Sequence, residues 1–246
     1  MKSVRYGSVV TIALAAVCGL WIGFAVPSSR GAGDAPVAPD AGEQRMYLER
    51  ARAEHDARLA WQPLTTFTFD DPAALKALRV CEGEWKIADG RLQAVGGKAD
   101  NYRTILIAPC PAGPMRIEFD AVLSPRPDGR VGDIYIRLNA DPATGSSARG
   151  YGLFVARYFN QDSVCYKLNQ PIARTEWSPI VPGRRHHITA EWNAVHLRLY
   201  VDDRVVIDAW DRDKPIAPDP AKWIALAVYD THLSVDNLTI AVPKDR

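Results

Sequence analysis

From residue 64 onward, apolar and polar residues alternate in one short segment after another. In residues 114–123, Met115, Ile117, Phe119 and Ala121 fall on one side, and Arg116, Glu118 and Asp120 on the other. In residues 132–139, Ile134, Ile136 and Leu138 oppose Asp133, Tyr135 and Arg137. Period-two alternation puts successive side chains on opposite faces of a strand, so each segment has one dry face and one wet face. Further strands are predicted at 64–70, 84–88, 91–95, 103–108, 150–158, 163–168, 186–192, 196–201, 204–209, 222–229 and 232–240. Gly, Pro and Asp turns separate them, and Asp89-Gly90 is a strong hairpin signal. A short helix is predicted from Asp71-Pro72 through Leu78, with Asp as cap and Pro in the first turn. About a dozen short strands mean an all-β sandwich or barrel. One-sided alternation selects a two-sheet antiparallel β-sandwich and excludes a βαβ architecture.

The first 61 residues follow different rules. Residues 9–26, VVTIALAAVCGLWIGFAV, are apolar except for Thr11, Gly19 and Gly23. A helix of this length spans roughly 27 Å, close to the thickness of a bilayer core. Lys2 and Arg5 precede it, which predicts a cytoplasmic N-terminus and an exported remainder. Residues 1–26 are therefore read as an N-terminal transmembrane anchor in the cytoplasmic membrane. The alternative is a signal peptide cleaved near Gly23-Phe24-Ala25, giving a secreted protein. Residues 27–42 are a Pro/Ala/Gly linker. Residues 43–61 contain no Gly or Pro and carry i,i+4 charge pairs such as Arg45/Glu49 and Glu54/Arg58, predicting a short membrane-proximal helix. Residues 62–246 form the sandwich domain. With 30 basic against 29 acidic residues the chain carries a net charge of +1, which argues against nucleic acid as a partner.

The segment 84–92, EWKIADGRL, resembles the opening of concanavalin A-like jelly-roll domains. Residues 183–206, GRRHHITAEWNAVHLRLYVDDRVV, are similar to a laminin-G-like strand pair. The closing SVDNLTI, residues 234–240, looks like the last strand of the 3-keto-disaccharide hydrolase (DUF1080) type. Together these cover residues 64–242 and imply a jelly roll. What they imply for function is glycan binding or glycoside hydrolysis. The chain departs from the catalytic patterns. Glu118 and Asp120 match two acids of a three-acid glucanase motif, but Leu123 stands where the third would be. Gly150-Tyr151 matches the hydrolase-type GYE-x-Q run, with Gly152 and Phe154 in place of the acid and the amide.

The chemistry-bearing residues are few. Cys81 and Cys110 flank turns in the exported part and are the candidate disulfide pair, with Cys165 left inside a strand. His186 and His187 point to opposite faces and cannot share a metal. Asp208, Asp211 and Asp213 are the candidates for a structural calcium; no other cofactor is implied. On the outward faces of the middle strands, Tyr135 and Arg137, then Phe154 and Tyr158, with Trp177 in a nearby loop, are the candidate ligand contacts. Aromatic faces stack on sugar rings, and Arg forks bind hydroxyls or carboxylates. Trp85, Trp192 and Trp223 have core parity. The expected function is a membrane-anchored, extracytoplasmic, non-catalytic domain that binds a glycan or polysaccharide. A glycoside hydrolase and a structural or protein-interaction ectodomain are the alternatives.

Overall fold

The computed structural model describes residues 60–95, 102–125, 129, 131–193 and 195–244. The expected anchor, the linker and nearly all of the 43–61 segment lie outside the described residues. Trp61 already belongs to strand β1 (Trp61–Phe67), so the expected helix does not include it, and the strand starts three residues ahead of position 64. Among the described residues, no helix is long and apolar enough to cross a membrane.

The remaining strands are β2 (Arg79–Glu82), β3 (Glu84–Ala88), β4 (Arg91–Val95), β5 (Tyr102–Pro109), β6 (Met115–Ser124), β7 (Asp133–Ala140) and β8 (Tyr151–Ala156). They continue as β9 (Asp162–Lys167), β10 (Gln170–Thr175), β11 (Arg185–Asn193), β12 (His196–Val201), β13 (Arg204–Trp210), β14 (Trp223–Tyr229) and β15 (His232–Pro243). They make two antiparallel sheets. One runs β13-β12-β11-β6-β15-β4-β3, with β1 also paired to β15; the other runs β10-β9-β8-β7-β14-β5-β2. The 3-10 turn at Pro72–Ala77 is capped by Asp71, whose carboxylate accepts from the Ala73 amide.

The alternation read from the sequence builds the layer between the sheets. Ile117, Phe119, Ala121 and Leu123 of β6 meet Ile134, Ile136 and Leu138 of β7, with Tyr151, Leu153 and Val155 of β8. Tyr151 and Trp192 pack edge to face in this core, 5.3 Å between ring centroids. The Asp89-Gly90 and Asp202-Asp203 turns both hold two residues at positive φ, the geometry that suits the twist of a tight hairpin.

Several expectations are corrected. Strands β2 and β10 are additional to those expected. Both are sheet edges with mostly exposed residues, so neither shows a clean alternation, and Pro171 within β10 is tolerated because it lies at an edge. The strand expected to run to residue 158 ends at Ala156. Cys81 and Cys110 are free, not bonded. Val80 of β2 pairs with Ile105 of β5, which puts Cys110 roughly 17 Å further along, far beyond disulfide reach. The two thiols also face different layers: Cys110 is in the main core, and Cys81 packs with Leu106, Ala140, Ala225 and Trp223 on the other side of the sheet. Trp223 is thus half-buried on that outer face, while Trp85 and Trp192 are core residues as expected. Asp208 is engaged by His196 and Arg198, and Asp211 by Lys167 and Tyr151. Among the described residues no group of three His, Cys, Asp or Glu side chains is arranged to hold a metal ion.

Candidate ligand-binding site

Three rows of cross-strand neighbours on the outer face of the second sheet build a cleft. Tyr102, Tyr229 and Asp133 form the first, across β5, β14 and β7. Ala227, Tyr135 and Phe154 form the second, across β14, β7 and β8. Ala225, Arg137, Gly152 and Tyr166 form the third, reaching β9. Alanine at 225 and 227 and glycine at 152 are the short, buried members of these rows beside tall aromatic neighbours. A β-carbon at Gly152 would stand 2.7 Å from the Phe154 ring, so Phe154 fills the space where a longer residue would project. The cleft holds about 400 Å³, within the range of small-molecule sites.

Its lining is a continuous aromatic path. Tyr229 lies 4.8 Å from Tyr102, Tyr102 5.6 Å from Tyr135, Tyr135 3.9 Å from Phe154, and Phe154 4.9 Å from Tyr166, between ring centroids. Tyr158 and Phe159 enter from a short turn after β8, Arg157–Asn160. Here Ala156, Tyr158, Phe159 and Asn160 all have φ between 50° and 69°. L-residues disfavour this region by roughly 1–2 kcal/mol each, so the turn needs an external brace.

That brace is polar and buried. The Arg157 guanidinium donates to both oxygens of Asp162, at 2.8 and 2.7 Å, and to the Tyr166 hydroxyl, and its plane sits 4.2 Å over the Tyr158 ring. Arg174 adds a second donor to Asp162 at 2.7 Å. The bonds from Arg157 hold the Asp162 carboxyl below its usual range, against the opposing effect of burial. Asn160 donates to the Ile180 carbonyl at 2.7 Å and accepts from Ser178 at 2.5 Å, which pins the far end of the turn.

Among the described residues, Asp133 is the only carboxylate lining the cleft. It accepts from the Tyr135 hydroxyl at 2.7 Å, and the Tyr102 hydroxyl lies 3.3 Å from that of Tyr135. Burial pushes the Asp133 carboxyl up to about 6, although the Tyr135 bond and the Arg157 charge pull the other way. A measurable consequence follows for stability. The folded chain keeps this proton to about pH 6, whereas the unfolded chain releases it near 3.8. Between about pH 4 and 6 the folded state therefore binds the extra proton, and stability falls as pH rises through that window. The full loss, about 3 kcal/mol, is reached above pH 6. Urea titrations at pH 4 and pH 7 should show Asp133→Asn gaining on the parent by that order across the window; parallel behaviour of the two proteins would refute it.

Of the five residues expected from the sequence, Tyr135, Phe154 and Tyr158 line the cleft. Tyr158 gets there through the left-handed turn and not through strand parity. Arg137 lies beneath the lining, 5.6 Å from the Tyr135 ring centroid, and donates to Gly145 O and Thr104 Oγ1. Trp177 is exposed and does not line the cleft; its carbonyl accepts from Ser163 at 3.3 Å. Sequence reasoning missed Tyr102, Asp133, Arg157, Tyr166 and Tyr229 as site residues. The alternation puts Asp133 on the same face as Tyr135, and Tyr229 ends a predicted strand, but their convergence depends on strand order. Glu118 and Asp120 belong to the other sheet, paired with Arg116 and with His187 and Asn237.

No protein-family model and no curated protein sequence matches this chain. Solved structures do match it in fold. The carbohydrate binding module CBM66 from Bacillus subtilis aligns over 68% of this chain and 96% of its own, at 20% identity and a TM-score of 0.54. A Bacillus subtilis protein of unknown function with a galectin-like fold aligns over 75% and 100%, at 12% identity and a TM-score of 0.60. The carbohydrate recognition domain of Emp46p, in its potassium-bound form, aligns over 74% and 98%, at 13% identity and a TM-score of 0.52. The chain thus has the two-sheet jelly-roll sandwich of these lectin-like domains, consistent with the concanavalin A-like resemblance of its sequence.

Proposed function

We propose that this chain is a non-catalytic glycan-binding domain, displayed outside the cytoplasm by the apolar run at residues 9–26. The observation that carries the reading is the unbroken aromatic cleft with one buried carboxylate at its end. Aromatic rings offer flat apolar faces to the C–H faces of a sugar, and a carboxylate accepts from its hydroxyls. Domains named for carbohydrate binding share the fold, which supports the same reading. Hydrolysis of the 3-keto-disaccharide hydrolase type would require a second carboxyl facing the first across a sugar. Among the described residues Asp133 is the single acid of the lining, and Asp162 behind it is taken up by two arginines, which favours binding over cleavage.

Isothermal titration of the full chain with a panel of polysaccharide fragments, with product analysis of the same samples, tests this. Saturable heat without products is the expected result. Phe154→Ala should weaken binding about 10–100-fold, the order of a buried phenyl contact, with little loss of helix or strand content. Released products would make the protein a glycoside hydrolase. Absence of both heat and products across the panel would leave the protein-interaction reading in its place.

A further inference from the structure

Resting on the glycan-binding reading, we infer that the cleft selects sugars that are uncharged or cationic at the recognised ring and rejects those bearing a carboxylate. The charged groups around the cleft carry the inference. Among the described residues, Arg157 is the only cation in the lining, and its donors are already directed at both oxygens of Asp162 and at the Tyr166 hydroxyl. Its face is covered by Tyr158. Arg137 lies under the tyrosines, outside the lining, and its Nη1 donates to Thr104 and Gly145. Lys167, the next cation along β9, is bonded to Asp211 and to the carbonyls of Asp213 and Lys214. Within the described lining, then, no guanidinium fork is left to receive an anion in the bidentate geometry that anion recognition uses.

Asp133 is the charged group of the lining with spare acceptor capacity. Tyr135 takes its Oδ2 and the Tyr158 amide also donates to the carboxylate, which leaves about two of the roughly four acceptor positions of an ionised carboxylate. Sugar hydroxyls or an ammonium group supply the donors that it lacks. A uronate placed there brings a second negative charge into a half-enclosed, aromatic-walled site, where such repulsion is weakly screened. Ser147 and Asn169 at the margin are neutral and do not alter the balance. The class of ligand is thereby narrowed to neutral hexose and amino-sugar glycans, with uronic-acid polymers excluded.

The test uses matched disaccharides built on glucose, galactose and mannose. Each set contains the neutral sugar, its 6-uronate, the methyl ester of that uronate and the 2-amino sugar. The full chain is titrated at pH 7.5 in a detergent without a sugar headgroup. In at least one set the neutral sugar and the ester should bind within threefold of each other, and the uronate at least tenfold more weakly. Asp133→Asn should bring the uronate to within threefold of the ester. The ester comparison needs no variant, so it stands even if that substitution fails to fold. A uronate that binds as tightly as its ester overturns the selectivity and leaves glycan binding intact. Failure of every set to saturate overturns both.

Discussion

Asp162→Ala is expected to lower the melting temperature by about 6–20 °C and to weaken ligand binding at the same time. The carboxylate is almost wholly buried, 1% exposed, between Arg157 at 10% and Arg174 at 52%. Removing one member of a buried pair leaves the other charge without compensation, a loss of about 3–5 kcal/mol. Each kcal/mol shifts the midpoint of a domain this size by about 2–4 °C. The ion pair also holds four residues in left-handed backbone, so its loss frees Tyr158 and Phe159 from the cleft. Arg174→Ala serves as the graded control. Its side chain is half exposed, and a loss under about 1 kcal/mol is expected. Differential scanning calorimetry of the two variants decides the matter. Equal, small shifts would mean that the turn is held by the Asn160 contacts instead.

The second large effect is at Gly132, which precedes β7 at the edge of the cleft. A β-carbon there would lie 1.8 Å from the Tyr229 carbonyl oxygen and 2.9 Å from its carbon. Those atoms are backbone of the neighbouring strand, so no side-chain rotation relieves the contact. Gly132→Ala must separate β7 from β14 at their paired ends, where Asp133 faces Tyr229. The expected loss is about 3 kcal/mol or more, the upper part of the range for overpacked sites. Binding should suffer with it, because Asp133 and Tyr229 both line the cleft. Gly129→Ala, where a β-carbon meets nothing within 4 Å but φ is +80°, is the contrasting case, since Gly132 has a clash and no positive φ. That variant carries backbone strain without a clash, and a loss of about 1 kcal/mol is expected. Comparable losses for the two would mean that the strands part easily at Gly132.

These sites show what a single sequence conveys and what it withholds. Burial alternates residue by residue in β6, as its sequence requires, and the Glu84–Ala88 and Arg91–Val95 hairpin has the expected bounds, because strand parity and turn chemistry are local properties. Tyr135 and Phe154 are readable as outward-facing for the same reason. Their neighbours are not, because the order β8-β7-β14-β5 brings together residues more than 120 positions apart, Tyr102 and Tyr229 among them. No periodicity encodes that adjacency. The turn at Ala156–Asn160 is hidden for another reason. Its sequence, ARYFN, contains no glycine to announce positive φ, and the Arg157–Asp162 pair that braces it, though only five residues apart, has no spacing signature that periodicity reveals. Cys81 and Cys110 look pairable because both adjoin turns; sheet register, invisible in the sequence, separates them.

In the first sheet, strand β15 carries β4 along its first half and β1 along its second, so that Trp61 faces Pro243 and the Lys244 amide donates to the Ala60 carbonyl at 2.6 Å. The chain enters and leaves the sandwich side by side. A domain whose ends meet can be spliced into a surface loop of a host protein without forcing the host's own strands apart. The aromatic cleft lies on the opposite sheet. A splice at those ends would leave the cleft on the far sheet uncovered.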